Sequence, residues 1–293
     1  MNKFFFSVIA AVIHLVSLLP FPVLYLLSDG LFIVLYYVVR YRRTVVQENL
    51  RNSFPGKTAA ELGEIEKKHY RYLADLIVES VKMKSMSRQE ILKRFRYVNF
   101  EELEPYFSAN RPVIAVTAHY GNWEWGSPSL SLVNPYPSLV VYKPQTDKRF
   151  ENLINRMRSR FGSVMVPMKL TLRKVLEYKN RPNMLVLVGD QTPPREESQF
   201  FTGFLNQPTA IFLGVEKIAR LTNNPVVFFH IDRVKRGHYE ATLKTLFEDP
   251  KETSEHEITL AHTRELERII MRKPELWLWT HKRWKFKPEE ISR

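Results

Sequence analysis

From Phe4 to Ser28 no side chain carries a formal charge apart from the titratable His14, and beyond Asp29 the run Leu31–Val39 is apolar again. At about 1.5 Å per residue, a helix of about 20 residues crosses the hydrocarbon layer, so this segment is long enough to enter a bilayer. Pro20 and Pro22 divide it. Two arrangements then keep the backbone hydrogen-bonded: a single tilted and kinked crossing, or a helical hairpin dipping into one leaflet. Arg40, Arg42 and Arg43 follow at once and would hold that end on the anionic, cytoplasmic side. No small-x-small site closes the run before Pro20, which argues against a cleaved signal peptide. The competing explanation is a buried core helix. The expectation is a membrane anchor over residues 1–43, transmembrane or monotopic, with residues 44–293 as one further domain.

The remaining charge is lopsided. Across 293 residues there are 44 Lys and Arg against 31 Asp and Glu, a formal net charge of +13 with His neutral. Such a surplus calls for an anionic partner. Nucleic acid is not expected, because no helix-turn-helix, zinc-finger or RNA-binding motif is present and the basic residues are not interleaved with a stacking platform. With no cysteine, a disulfide scaffold, a thiolate zinc site, an iron–sulfur cluster and a Cys nucleophile are all excluded.

Residues 44–95 read as helices, with Leu62, Ile65, Tyr72, Leu73, Leu76, Ile77 and Val81 near helical spacing. After Pro112, short apolar runs alternate with amphipathic stretches. Val113–Thr117, Ser138–Tyr142, Val164–Val166, Met184–Val188 and Val226–His230 read as buried strands; Arg149–Phe161, Leu170–Tyr178, Ala210–Leu221 and His256–Met271 read as helices. That alternation predicts an α/β fold with a mainly parallel sheet flanked by helices.

Several motifs fail on inspection. His256-Glu257 opens an HExxH pattern, but Leu260 stands where the second His belongs. Gly121–Ser127 has the glycine spacing of a phosphate loop, with Ser127 at the Lys position. There is no GxGxxG and no GxSxG, so no metal site, dinucleotide fold or nucleophile elbow is supported.

The segment Val113-Ile-Ala-Val-Thr-Ala-His119-Tyr-Gly-Asn-Trp-Glu124 is different. It sets a His just past the C-terminal end of a buried strand, where open α/β sheets bind ligands. A Gly-Asn turn follows, with helix expected near Trp123, and this turn can fold the Glu124 carboxylate back onto the imidazole. A His with a carboxylate is a general base: Nε2 takes a hydroxyl proton while the acid holds the tautomer. No Ser, Cys or Lys nucleophile stands beside it, which suits direct attack by an acceptor hydroxyl on an activated acyl group. On spacing alone, a structural His hydrogen-bonded near a strand end is the commoner explanation of the pattern.

HYGNWE also resembles the HX4(D/E) motif of the lysophospholipid and glycerolipid acyltransferase superfamily, and the chain resembles its lipid A branch, the late lauroyl/myristoyl-type acyltransferases. Val141-Tyr142-Lys143-Pro144 is similar to that branch's V-Y-R-P, with Lys143 for the usual Arg. Asn155-Arg156-Met157-Arg158-Ser159-Arg160-Phe161-Gly162 matches N-R-x-R-x-x-x-G; Gly189-Asp190-Gln191 followed by Phe201-Thr202-Gly203-Phe204 looks like the third block. Asn224-Pro225-Val226 takes the place of the fourth. Pro274-Glu275-Leu276-Trp277-Leu278-Trp279-Thr280-His281-Lys282-Arg283-Trp284 resembles the closing P-E-x-W-x-W-x-H-R-R.

The resemblance implies transfer of a fatty acyl chain from an acyl carrier protein thioester to a hydroxyl of a phosphorylated glycolipid, a lipid A precursor. It also implies a catalytic domain on the cytoplasmic face of the inner membrane and no cofactor. His119 would be the base and Glu124 its orienter. Arg156 and Arg158 would hold anionic groups, and Lys143, Asp190 and Gln191 would help bind substrate. The motif identifies no oxyanion donor; a backbone N–H near Gly121 is one candidate. The net charge fits lipid phosphates, an anionic leaflet and an acidic carrier protein together. A lysophospholipid, aminolipid or other glycolipid acceptor is the alternative, and a non-catalytic membrane-binding protein is a third reading. Trp277 and Trp279, alternating at period two, are expected as structural aromatics.

Overall fold

The protein, described by a computed structural model over residues 3–291, opens with two apolar helices, α1 (Lys3–Leu18) and α2 (Phe21–Ile33). The break falls at Pro20, and Pro22 sits in the first turn of α2, where a missing N–H costs nothing. One π-helical turn, Val34–Val38, prolongs α2. Then come α3 (Arg43–Ser53), α4 (Ala59–Lys82) and α5 (Arg88–Arg94). α4 starts on a complete capping box: the Thr58 hydroxyl accepts from the Glu61 N–H while the Glu61 carboxylate accepts from the Thr58 N–H.

The rest alternates: β1 (Phe95–Tyr97), α6 (Glu104–Ser108), β2 (Val113–Thr117), α7 (Trp123–Val133), β3 (Ser138–Tyr142), α8 (Lys148–Arg158), β4 (Val164–Pro167), α9 (Thr171–Tyr178) and β5 (Met184–Val188). After these, β6 (Phe201–Phe204) and β7 (Gln207–Ala210) form a separate hairpin, followed by α10 (Gly214–Thr222), β8 (Val226–Lys235), β9 (His238–Phe247) and α11 (Glu257–Arg272). Among the described residues one seven-stranded sheet runs β1-β9-β8-β2-β5-β3-β4, parallel throughout except for the antiparallel β8–β9 pair. Every residue of β2 is buried, as a central strand covered on both faces requires.

The expected α/β architecture holds, and its departures have causes. The helix expected over Ala210–Leu221 begins only at Gly214, because Ala210 closes β7. The strand expected over Val226–His230 runs on to Lys235 and turns at Gly237 (φ +71°) into β9. β9 has no continuous apolar run to mark it in the sequence, because one face is wet and His238–Phe247 alternates.

α2 lies along α4 in an unusual sense. Its polar residues point inward: Ser28, 1% exposed, donates to Asp75 Oδ1 (2.7 Å), and Tyr25 donates to Glu79 Oε1 (3.0 Å). Leu24 and Phe32 also pack inward, whereas Leu26 is 71% exposed and Leu27, Ile33, Val34 and Val38 are exposed as well. On α1, Phe5, Val12, Leu15 and Leu18 are likewise exposed.

Candidate active site

The sheet register builds the site. β2 and β5 are parallel neighbours with Thr117 opposite Val188, and the Gly189 N–H donates to the Thr117 carbonyl (3.1 Å). Two residues past that pair, on each strand, stand His119 and Asp190. They meet: His119 Nδ1 lies 2.7 Å from Asp190 Oδ1. The carboxylate on the imidazole is therefore supplied across the sheet, not by Glu124 five residues on.

Asp190 is buried and fully engaged, since Trp277 Nε1 donates to its Oδ2 (2.8 Å). Burial alone would raise its carboxyl, but the charge and hydrogen bond of His119 and the Trp277 donor hold it below the ordinary range. An ionised Asp190 accepting at Oδ1 fixes the His119 proton on Nδ1 and leaves Nε2 with a free lone pair, towards which Gln191 Nε2 points at 3.3 Å. Trp123 closes one side, its ring 5.1 Å from the imidazole and nearly perpendicular.

Glu124 has a different partner. It stands in the first turn of α7, which Asn122 caps by accepting from the Trp125 N–H (3.0 Å). Arg158, in the last turn of α8, grips it bidentately: Nε to Oε2 at 2.9 Å and Nη2 to Oε1 at 2.6 Å. Each charge suits the helix end it occupies. Burial would raise the Glu124 carboxyl, yet Arg158 and the nearby His119 keep it below its usual value. Burial likewise would lower Arg158, but Glu124 raises it.

The other residues singled out in the sequence fall in unequal places. Lys143, Arg158 and Gln191 line a cavity of about 550 Å³ into which His119 also opens. Arg156 is exposed on α8 and is not among the cavity's lining residues. Gly121 holds the turn at φ +62°, where a Cβ would sit 2.4 Å from the Ile231 carbonyl oxygen, so only glycine fits. Its N–H donates to the Leu276 carbonyl (3.1 Å) and is not free to face an oxyanion.

Trp277 is more than a structural aromatic. Tyr120 and Trp277 form an isolated antiparallel bridge, which carries the C-terminal segment alongside the His119 turn and its indole onto Asp190. Trp279 is buried beside it, donating to the Pro274 carbonyl. Period-two spacing gave no hint of the Trp277 partner; the one available signal was that Asp190 also ends a buried strand.

The cavity is apolar inside and cationic at its edge. Val140, Leu172, Leu187, Val215 and Ile218 line it, and Lys143, Lys169 and Lys217 are exposed lysines along it. Its size suits a small-molecule or lipid-chain site. Among the described residues no group of His, Asp or Glu has the arrangement of a metal site.

Comparison with known proteins places these features in a family. The family model described as bacterial lipid A biosynthesis acyltransferase matches residues 1–286. The chain is 25% identical over 274 residues to the lipid A biosynthesis palmitoleoyltransferase of Escherichia coli K12, covering 92% of this chain and 87% of that one. It is 23% identical over 281 residues to the lipid A biosynthesis lauroyltransferase of the same organism, covering 96% and 91%. A lipid A biosynthesis acyltransferase of Haemophilus influenzae is 22% identical over 270 residues, covering 90% and 82%. The match runs through the apolar helices, the His119 turn, the Asp190 strand end and the Trp277 segment alike, and the chain belongs to the bacterial lipid A biosynthesis acyltransferases.

Proposed function

We propose that the protein moves a fatty acyl chain from an acyl carrier protein thioester to a hydroxyl on a lipid A precursor. The single observation that carries this reading is His119, fixed at Nδ1 by Asp190 and open at Nε2 to an apolar cavity with lysines along its edge. The acceptor hydroxyl takes the place of the Gln191 amide at Nε2 and gives up its proton as its oxygen attacks the thioester carbonyl. Collapse of the tetrahedral intermediate breaks the carbon–sulfur bond, and the imidazolium returns the proton to the leaving thiolate. Asp190 stabilises that imidazolium. The displaced Gln191 amide, 3.3 Å from Nε2 before the acceptor binds, is then available to donate to the carbonyl oxygen. Glu124 adds a second negative charge near His119, and its pairing with Arg158 keeps that charge in place. Arg158 thus acts through Glu124, and the exposed lysines Lys143, Lys169 and Lys217 take the role of holding phosphate.

The N-terminal helices seat the enzyme on the inner membrane with the catalytic domain on the cytoplasmic face. A helix whose Ser28 and Tyr25 bond to the protein while Leu26 and Leu27 face outward is suited to lipid on that outer side.

The test is acyl transfer by washed membranes carrying the protein, using carrier-protein thioesters of several chain lengths. Tetra-acylated lipid A precursor and a lysophospholipid are offered in parallel, with His119→Ala as control. A mass gain of one acyl chain on the precursor, absent in the variant, is the expected result. Transfer to the lysophospholipid alone would overturn the acceptor, and transfer to neither would overturn the reading.

A further inference from the structure

We infer that Glu79, a buried carboxylate on α4 outside the reaction chemistry, is a positioning residue that ties the seating of the apolar helix α2 to the geometry of the catalytic turn. The inference rests on the proposed acyl transfer at His119 and extends it to a residue no motif includes.

Glu79 is 1% exposed, and four donors from four parts of the fold converge on it. Tyr25 of α2 donates to Oε1 at 3.0 Å. Asn122 of the HYGNWE turn and Tyr239 of β9 both donate to Oε2, each at 2.7 Å. Trp125 of α7 donates through Nε1 to the Glu79 backbone carbonyl at 2.9 Å. A carboxylate accepts from every direction without needing to donate, which suits the three side-chain donors Tyr25, Asn122 and Tyr239, while Trp125 uses the backbone carbonyl.

The turn it holds is the one that sets His119. Asn122 is wholly buried, three residues after His119 and two before Glu124, and its other amide atom caps α7. Two turns earlier on the same helix, Tyr72 donates to the Gly121 carbonyl at 2.5 Å. α4 therefore grips both residues of the Gly121-Asn122 turn. One turn before Glu79, on the same face, Asp75 accepts from Ser28 of α2 and from Arg233 and Arg236. Arg236 in turn pairs with Asp29 of α2 at 2.6 Å. Sliding or lifting α2 would withdraw Tyr25 from Glu79 and Ser28 from Asp75 together. Burying an acceptor with no cation bonded to it is costly, and a methyl-lined core would be cheaper for stability alone. The arrangement makes sense as a way to place Asn122, and with it His119.

The test uses the full-length protein in detergent or native-lipid particles, with Glu79→Ala, Glu79→Gln and Tyr25→Phe. Two quantities are read: kcat and KM for acyl transfer, and the ring 1H–15N signals of His119, assigned by their loss in His119→Ala. Glu79→Ala is expected to lower kcat about 10²-fold, as a displacement near 1 Å does, with KM for both substrates unchanged. Its His119 signals should shift and broaden. Glu79→Gln, which keeps an acceptor towards Asn122 and Tyr239, should restore most of kcat and the wild-type signals. Tyr25→Phe removes one hydroxyl and should lower kcat about fivefold, the weight of one hydrogen bond. It also carries the test should Glu79→Ala not fold.

A Glu79→Ala protein that melts earlier but keeps kcat and His119 signals would reduce Glu79 to a stability role and overturn the inference. Unchanged kcat and signals in Tyr25→Phe would overturn the link to α2. Wild-type protein that transfers to no acceptor would sink the proposed function, while the imidazole signals would still decide the inference.

Discussion

Replacing Asp190 by Asn should inactivate the enzyme by turning the His119 ring chemistry round, and the structure says which way. Trp277 Nε1 donates to Oδ2 at 2.8 Å, so in the variant the amide oxygen takes the Oδ2 position and the amide nitrogen faces His119 Nδ1. That nitrogen donates, so Nδ1 must accept and the imidazole proton moves to Nε2, the atom that receives the hydroxyl proton in the proposed transfer. Recovering the reactive tautomer requires flipping the amide and leaving a buried Trp277 donor unpaired, at about 1–3 kcal/mol. The transition state also loses a charge-assisted hydrogen bond to the imidazolium, a further 1.5–3 kcal/mol or so. The total, about 3–6 kcal/mol, is a fall in kcat of about 10²- to 10⁴-fold with KM little changed. Initial rates with saturating donor and acceptor measure it. Adding Trp277→Phe removes the constraint on the amide, so the double variant should be faster than Asp190→Asn alone. An Asp190→Asn enzyme that is folded and within about tenfold of wild type would refute the assignment of Asp190, as would a double variant slower than the single one.

Glu124→Gln leaves Arg158 with an uncharged partner, so its cost should appear in stability, about 1–3 kcal/mol by chemical denaturation, besides any loss of rate. Removing His119's second negative neighbour should reduce kcat less than Asp190→Asn does; the reverse order in paired kinetics would reinstate Glu124 as the ring's main partner. Burial, offset in part by Tyr239 and Arg233, raises the Glu79 carboxyl from 4.5 to about 7, with Asp75 adding to the rise. The folded state then holds a proton that the unfolded chain has released, so stability is full below about pH 4.5 and is lost as pH rises through about 7. Glu79→Gln should flatten that slope by an amount on the order of 3 kcal/mol, read from unfolding at pH 5 and pH 8. A slope of opposite sign would show Glu79 to be stabilised as the anion. Ile218→Trp, placed on the cavity wall, should shift the preferred donor to a shorter chain in a competition between thioesters; unchanged preference would remove the acyl chain from this cavity.

What could be read in the sequence divides along local and non-local lines. β2, β3 and β5 begin and end where the apolar runs do, because a strand covered on both faces is apolar at nearly every position. His119 was legible for the same reason, standing just beyond such a run. Its carboxylate was not. A Glu five residues away is a local candidate and the family pattern favours it, but the bond to Nδ1 comes from a residue 71 positions on. Both His119 and Asp190 follow buried strands by two residues, so each was visible as a strand-end residue. What the sequence could not supply was that β2 and β5 are neighbours with Thr117 opposite Val188, since β3 and β4 lie between them in the chain. Arg158 was visible as a cation but not as the Glu124 partner, because the contact depends on how α7 and α8 pack.

The N-terminal helices carry the same division one step further. An apolar run that carries Tyr25 and Ser28 and is interrupted by Asp29 reads as apolar on average, and averages discard direction. In the fold the interruptions are the contacts: Ser28 on Asp75, Asp29 on Arg236, Tyr25 on Glu79. A soluble helix puts its leucines in and its polar groups out, because water sets the sign of the pattern. Here Leu26 and Leu27 are outside and Ser28 is inside. Leu24 and Phe32 still pack inward, so the inversion is partial, and its outer leucines are suited to a medium as apolar as themselves. In the proposed seating the polar residues stay bonded to the domain while the outer face meets lipid, so attachment to the membrane and to the His119 turn would be made by opposite faces of one helix. A salt wash acts on the charged surface and should leave the protein on the membrane, whereas detergent, which competes for the leucine face, should release it. Release by salt alone would mean that charge holds the protein there and would take the leucine face out of the explanation.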